Sequence, residues 1–133
     1  MKLVNTPIRM LNDAAIRLLD RKDPPDVIFC SNDIMALGMM DAAKNGLRLK
    51  IPEEVSIIGF DDIPMSSWSS YSLTTVRQPI QRMVDASVEE LLNRIGNSER
   101  EPLQEVIHGE LLIRGSARMP CGLSPGWVIS QDR

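Results

Sequence analysis

Histidine is nearly absent from this chain of 133 residues: His108 stands alone, and cysteine is limited to Cys30 and Cys121. No Cys-x-x-Cys or His-x-x-x-His spacing is present, so a zinc site is not expected, and two cysteines are too few for a disulfide framework. A lone histidine also leaves no Ser-His-Asp set, and there is no Gly-x-Ser-x-Gly elbow and no glycine-rich phosphate loop. Runs of Lys and Arg are missing as well. With 15 basic and 18 acidic residues the formal net charge is -3, which speaks against a freestanding nucleic-acid binder, although an acidic domain can belong to a protein whose basic module lies elsewhere. Long apolar runs are lacking: the best, residues 55–60, cannot span a bilayer. Residues 1–9 have no apolar core followed by a small-residue cleavage site, so a signal peptide is not expected. A reducing, cytoplasmic location is the resulting expectation. What remains is a globular composition, 43% hydrophobic and 25% charged, with no internal repeat and no low-complexity segment.

The patterning alternates between strand and helix. Residues 7–20 read as a helix, capped by Thr6 and opened by Pro7, with Ile8, Leu11, Ala15 and Leu18 on one face and Leu19 at its edge. The Asp23-Pro24-Pro25-Asp26 stretch breaks it. Residues 27–30, Val-Ile-Phe-Cys, have no polar alternation, which predicts a strand covered on both faces, with Cys30 acting as a small buried hydrophobe. Asp33 or one of its neighbours caps the next helix, residues 34–45, which Gly46 ends as a left-handed terminator. Residues 34–40 are apolar almost all round, so this helix faces a partner as well as its own sheet, or else sits centrally in a thick core. A second strand over residues 55–60 completes a parallel strand–helix–strand unit.

After a serine-rich loop holding Trp68 and Tyr71, residues 73–76 form a third strand. The following helix carries Ile80, Val84, Val88, Leu91 and Ile95 on one face and ends at Gly96. Residues 106–107 and 110–113 suggest one or two short strands, with a hairpin near Gly109. Residues 119–133 read as a frayed tail.

In an open parallel α/β sheet small ligands bind beyond the carboxyl ends of the strands. Here those ends carry Asn32-Asp33 and Asp61-Asp62. An amide and carboxylates suit a polyhydroxylated or amine-bearing small molecule, and Trp68 would cover its flat apolar face. Each residue has a plainer alternative: Asn32 shapes the turn, Asp33 caps the helix, Asp61 and Asp62 end the strand, and Trp68 packs into a subunit contact. A magnesium or phosphoryl-transfer pair at Asp61-Asp62 is disfavoured, because no phosphate loop and no nearby lysine complete it. Binding is therefore favoured over catalysis.

Three segments carry a family likeness. Residues 28–38 (IFCSNDIMALG), 51–62 (IPEEVSIIGFDD) and 73–79 (LTTVRQP), together with 110–116 (ELLIRGS) as a closing strand, resemble the lactose-repressor/galactose-repressor (LacI/GalR) family of bacterial transcription regulators. The likeness runs over residues 10–118. It implies part of a periplasmic-binding-protein-like, Rossmann-like three-layer α/β fold with a mostly parallel sheet. By position, Asn32, Asp61 and Trp68 would form the effector-binding set, and Ile34, Met35, Gly38 and Met39 a dimer interface. Residues 79–96 would supply a helix to the other lobe. No segment resembles the family's helix-turn-helix, and residues 1–9 and 119–133 do not resemble family sequence, so the expectation is a truncated member.

The expected function is the effector-sensing and dimerising portion of a transcription regulator, with a sugar or nucleobase-like effector. Its partner would be a second copy, and operator DNA would be reached only through a module that this chain lacks. No cofactor, metal, catalytic residue or membrane contact is expected. An interaction module that dimerises with a full-length relative, and a piece of a periplasmic-type sugar receptor, are the alternatives; an enzyme is more distant.

Overall fold

The computed structural model describes residues 14–96, 101, 103–118 and 128–129. Five strands form one sheet in the order β1 (Val27–Phe29), β2 (Ser56–Asp61), β3 (Thr74–Arg77), β4 (Glu110–Leu112) and β5 (Val128–Ile129). β1, β2 and β3 are mutually parallel, whereas β4 runs antiparallel to both β3 and β5. The mostly parallel α/β sheet agrees with the sequence pattern. The hairpin near Gly109 does not form: β4 takes β3 and β5 as neighbours, while residues 103–109 have no regular structure. Within the expected tail, Val128–Ile129 pairs with β4; the rest of that segment lies outside the described residues.

Residues 14–19 form α1, whose Ala15 and Leu19 are buried; Thr6, Pro7, Ile8 and Leu11 lie outside the described residues. Helix α2, Asp33–Asp41, follows β1 and runs into a π-helical turn, Ala42–Gly46. Gly46 does not take the left-handed conformation; Arg48, at φ 57°, does. The core lies between α1, α2 and one face of the sheet. It holds Ala15, Leu19, Ala36, Leu37, Met40 and Ala43 from the helical layer, and Ile28, Val55, Ile57 and Leu73 from β1–β3 and their approaches.

Side chains alternate across a strand, so Ile28 and Ile57 face this core while Val27 and Phe29 point the other way. Phe29 packs edge-on against Phe60 at 6.5 Å yet remains 61% exposed. The expectation that β1 is covered on both faces is therefore corrected: among the described residues, helices pack on only one face of it. The same holds more strongly for α3, Ile80–Gly96. It is amphipathic as the spacing predicts, but none of its residues is buried. Its apolar stripe, from Ile80 through Val84, Val88 and Leu91 to Ile95, is exposed.

Candidate functional site

Because β1, β2 and β3 are parallel, they end at one edge of the sheet. Register places Asp61 beside Arg77 there, and Asn32 lies three residues beyond the end of β1. Asn32 is the N-cap of α2: its Oδ1 accepts the Met35 amide at 2.8 Å. This satisfies one of the amides that every helix start leaves over and leaves the Asn32 NH2 without a hydrogen bond among the described residues.

Asp61 and Asp62 form a sharp corner, with φ of 120° and 55°. Positive φ is costly for a residue with a side chain, and three side chains hold this corner. Gln78 Nε2 donates to Asp61 Oδ1 at 2.6 Å. Arg77 Nε reaches Asp62 Oδ2 at 2.7 Å, and Arg114 reaches Asp62 Oδ1 at 2.6 Å. Arg77 also pairs with Glu110 at 3.1 Å, and Arg114 donates to the Leu73 carbonyl at 2.9 Å. Burial pushes the Asp62 carboxyl up, but hydrogen bonds and charge from Arg114 and Arg77 outweigh it and hold the group below the usual carboxylate range. Asp62 is thus occupied by the protein itself, while Asp61 Oδ2 has no protein partner among the described residues.

Asp33 does not cap α2. Its side chain is wholly buried, above Gly59. Oδ1 accepts from the Thr75 hydroxyl at 2.5 Å; Oδ2 accepts from the Ser66 hydroxyl at 2.5 Å and the Ile63 amide at 3.0 Å. A methyl group at position 59 would overlap this carboxylate and approach Leu73 Cδ2 to 2.9 Å. Glycine is required there for close approach. Nearby, burial and then the charge of Asp33 push the Cys30 thiol up to about 11, which leaves an inert, protonated group at neutral pH.

Trp68 lies elsewhere than the strand ends. A strand parallel to β2 must be entered from the opposite edge, so residues 62–73 run back along the sheet. The 3-10 turn Pro64–Ser67 meets the start of α2 through Asp33. Further along, Tyr71 hydrogen-bonds Asp41 at the end of α2 at 3.3 Å, and Lys44 donates to the Ser70 carbonyl at 2.9 Å. Trp68 sits between these points, 56% exposed. Of the other α2 residues expected at an interface, Ile34 is 48% exposed, Met35 and Gly38 are half-buried, and Met39 belongs to the chain's own core.

A cavity of about 360 Å³ lies apart from this edge, between α3 and residues 103–107, and is lined by Met83, Ala86, Ser87, Glu90, Leu103, Glu105 and Ile107. No group of metal-ligating side chains occurs among the described residues, and no described helix is long and apolar enough to cross a membrane. Sequence reading missed Gln78, Arg77 and Arg114. The first two adjoin the Leu-Thr-Thr-Val strand and Arg114 follows β4, so they were visible as residues but not as partners of an aspartate corner.

Residues 3–117 match the model of the periplasmic binding protein-like domain. The chain is 38% identical over 105 residues to the HTH-type transcriptional repressor PurR of Vibrio vulnificus, covering 79% of this chain and 31% of that protein. It is 38% identical over 103 residues to the probable HTH-type transcriptional repressor ExuR of Bacillus subtilis, covering 77% and 30%. The crystal structure of a LacI family transcriptional regulator from Lactobacillus casei with bound sucrose is similar at a TM-score of 0.66 and 29% identity, over 83% of this chain and 40% of that one. The chain thus spans less than a third of the length of these curated relatives.

Proposed function

Since the chain belongs to the periplasmic-binding-protein-like family, in the part that LacI-type transcription regulators carry, we propose that it is the effector-sensing and dimerising portion of such a regulator. It contributes Asn32 and Asp61 to a site for a neutral, polyhydroxylated or nucleobase-like molecule. The observation that carries this reading is the Asp61–Asp62 corner. Two arginines neutralise Asp62, and Gln78 holds one oxygen of Asp61, so among the described residues Asp61 Oδ2 is left as an acceptor for ligand hydroxyl or amine hydrogens. The function is binding without catalysis, and its output is a population shift between conformations. Operator DNA would be contacted by another module of a longer protein, acting in the cytoplasm. Support for sugars as the ligand class comes from the sucrose-bound Lactobacillus casei relative.

Self-association uses the flank of α2 together with the loop holding Trp68. Ile34 and Trp68 are the exposed apolar side chains on these two elements, and Met35 and Gly38 lie on the same helix. Trp68 belongs to this surface rather than to the ligand.

A thermal-shift screen with neutral mono- and disaccharides and purine bases, on a full-length regulator containing this segment, identifies the ligand. Calorimetric titration then compares wild type with Asp61→Ala. Loss of a hydrogen bond to a charged acceptor should weaken binding about tenfold or more. Unchanged affinity would overturn the role of Asp61.

A further inference from the structure

We propose that Asp33 is a positioning residue: it ties the turn that follows the Asp61–Asp62 corner to the first turn of α2, so that ligand edge and helix move as one unit. The inference rests on the effector reading above and adds to it a route by which the edge is felt at the dimer surface.

Three observations carry it. First, the carboxylate is wholly buried, and its partners come from segments far apart in the chain: Ile63 and Ser66 on the return loop, and Thr75 in the middle of β3. All three are donors. They converge on two oxygens, which a carboxylate satisfies and an amide, with one acceptor and a donating NH2, does not. Second, Asp33 is the first residue of α2. Its neighbour Asn32 closes that turn through the Met35 amide, and the Asn32 carbonyl accepts from the Ala36 amide. A shift of the Asp33 backbone therefore disturbs two amides that can be observed directly. Third, Gly59 lets the carboxylate lie against β2, where a side chain would exclude it. The group is thus held between the strand that ends in Asp61, the loop that leaves Asp62, and the helix. An unsatisfied donor in such a place is expensive, so the three elements are coupled rather than merely adjacent.

The test is native-state amide hydrogen exchange on the 133-residue chain without ligand. Ser66→Ala and Thr75→Val each remove a donor without altering α2. Thr75→Ser keeps the hydroxyl. Ser67→Ala removes a neighbouring hydroxyl that, among the described residues, bonds only to the Pro64 carbonyl. Coupling predicts that Ser66→Ala and Thr75→Val raise exchange at Met35 and Ala36 about tenfold, while amides of β2 stay protected and the two control variants leave Met35 and Ala36 as in wild type. Faster exchange confined to each variant's own segment would overturn the proposal. So would a uniform rise at every amide, which would mark Asp33 as a residue of global stability. Because no ligand is present, failure here leaves the Asp61 reading intact, and failure of the Asp61 titration leaves these exchange outcomes unchanged.

Discussion

Asp62 and Asp61 are adjacent in sequence and opposite in use. Asp62 is held by Arg77 and Arg114, and its carboxyl is depressed below its ordinary value of 3.8. A group whose pKa is lower in the folded state binds protons more readily when unfolded. Its contribution is therefore complete above the ordinary carboxylate range and is lost as pH falls through the depressed folded value. Asp62→Asn should cost about 1–3 kcal/mol near pH 7, and the gap from wild type should close below about pH 4. Urea unfolding followed at several pH values checks both. Asn32 and Asp61 were legible as polar residues at strand ends. The role of Asp33 was not, because its hydroxyl partners Ser66 and Thr75 lie 33 and 42 residues away; only the fold brings them together. Local chemistry suggested a cap, and Asn32 took that place instead.

At the scale of elements, the β1–α2–β2 unit was readable because its signals are local: an apolar run, a capping residue, a second run. What followed depended on pairing. The return loop places Trp68 beside α2 because β3 is parallel to β2, and no residue in that loop announces the direction of the next strand. β5 was missed because two residues of apolar sequence in an aperiodic segment give no pattern. Helix α3 was found by its periodicity, yet that periodicity describes a face that no described element covers. A charge on it should accordingly cost the fold nothing beyond helix propensity, which is below about 1 kcal/mol. Val88→Lys is expected to leave the thermal midpoint of the chain within about 2 °C, measured by circular dichroism. A large drop would mean that the stripe is packed in solution.

Across the whole molecule, among the described residues, one sheet face is well covered and two apolar surfaces lie in the open: Val27 and Phe29 on the far face of the sheet, and the stripe of α3. Exposed apolar surface of this kind favours association. The flank of α2 is a third, smaller surface, and it separates specific pairing from general stickiness. If Ile34 and Trp68 form the dimer contact, Ile34→Glu should weaken self-association at least about tenfold, since burying an unpaired charge in an interface is costly. Sedimentation velocity over a range of concentrations, with circular dichroism to verify folding, makes the comparison. An unchanged association constant would assign the contact to one of the other two surfaces.

The missing side chain of Gly59 has a consequence for inheritance. The space it leaves is filled by the carboxylate of Asp33, so the two positions are not free to drift separately. Any side chain at 59 displaces an acceptor on which three donors depend, and loss of the carboxylate at 33 removes the tighter of the two contacts that require glycine at 59, leaving the approach to Leu73. Across descendants of this sequence the pair should persist together or be replaced together, while Ser66 and Thr75, whose hydroxyls have no other partner among the described residues, follow whichever course position 33 takes.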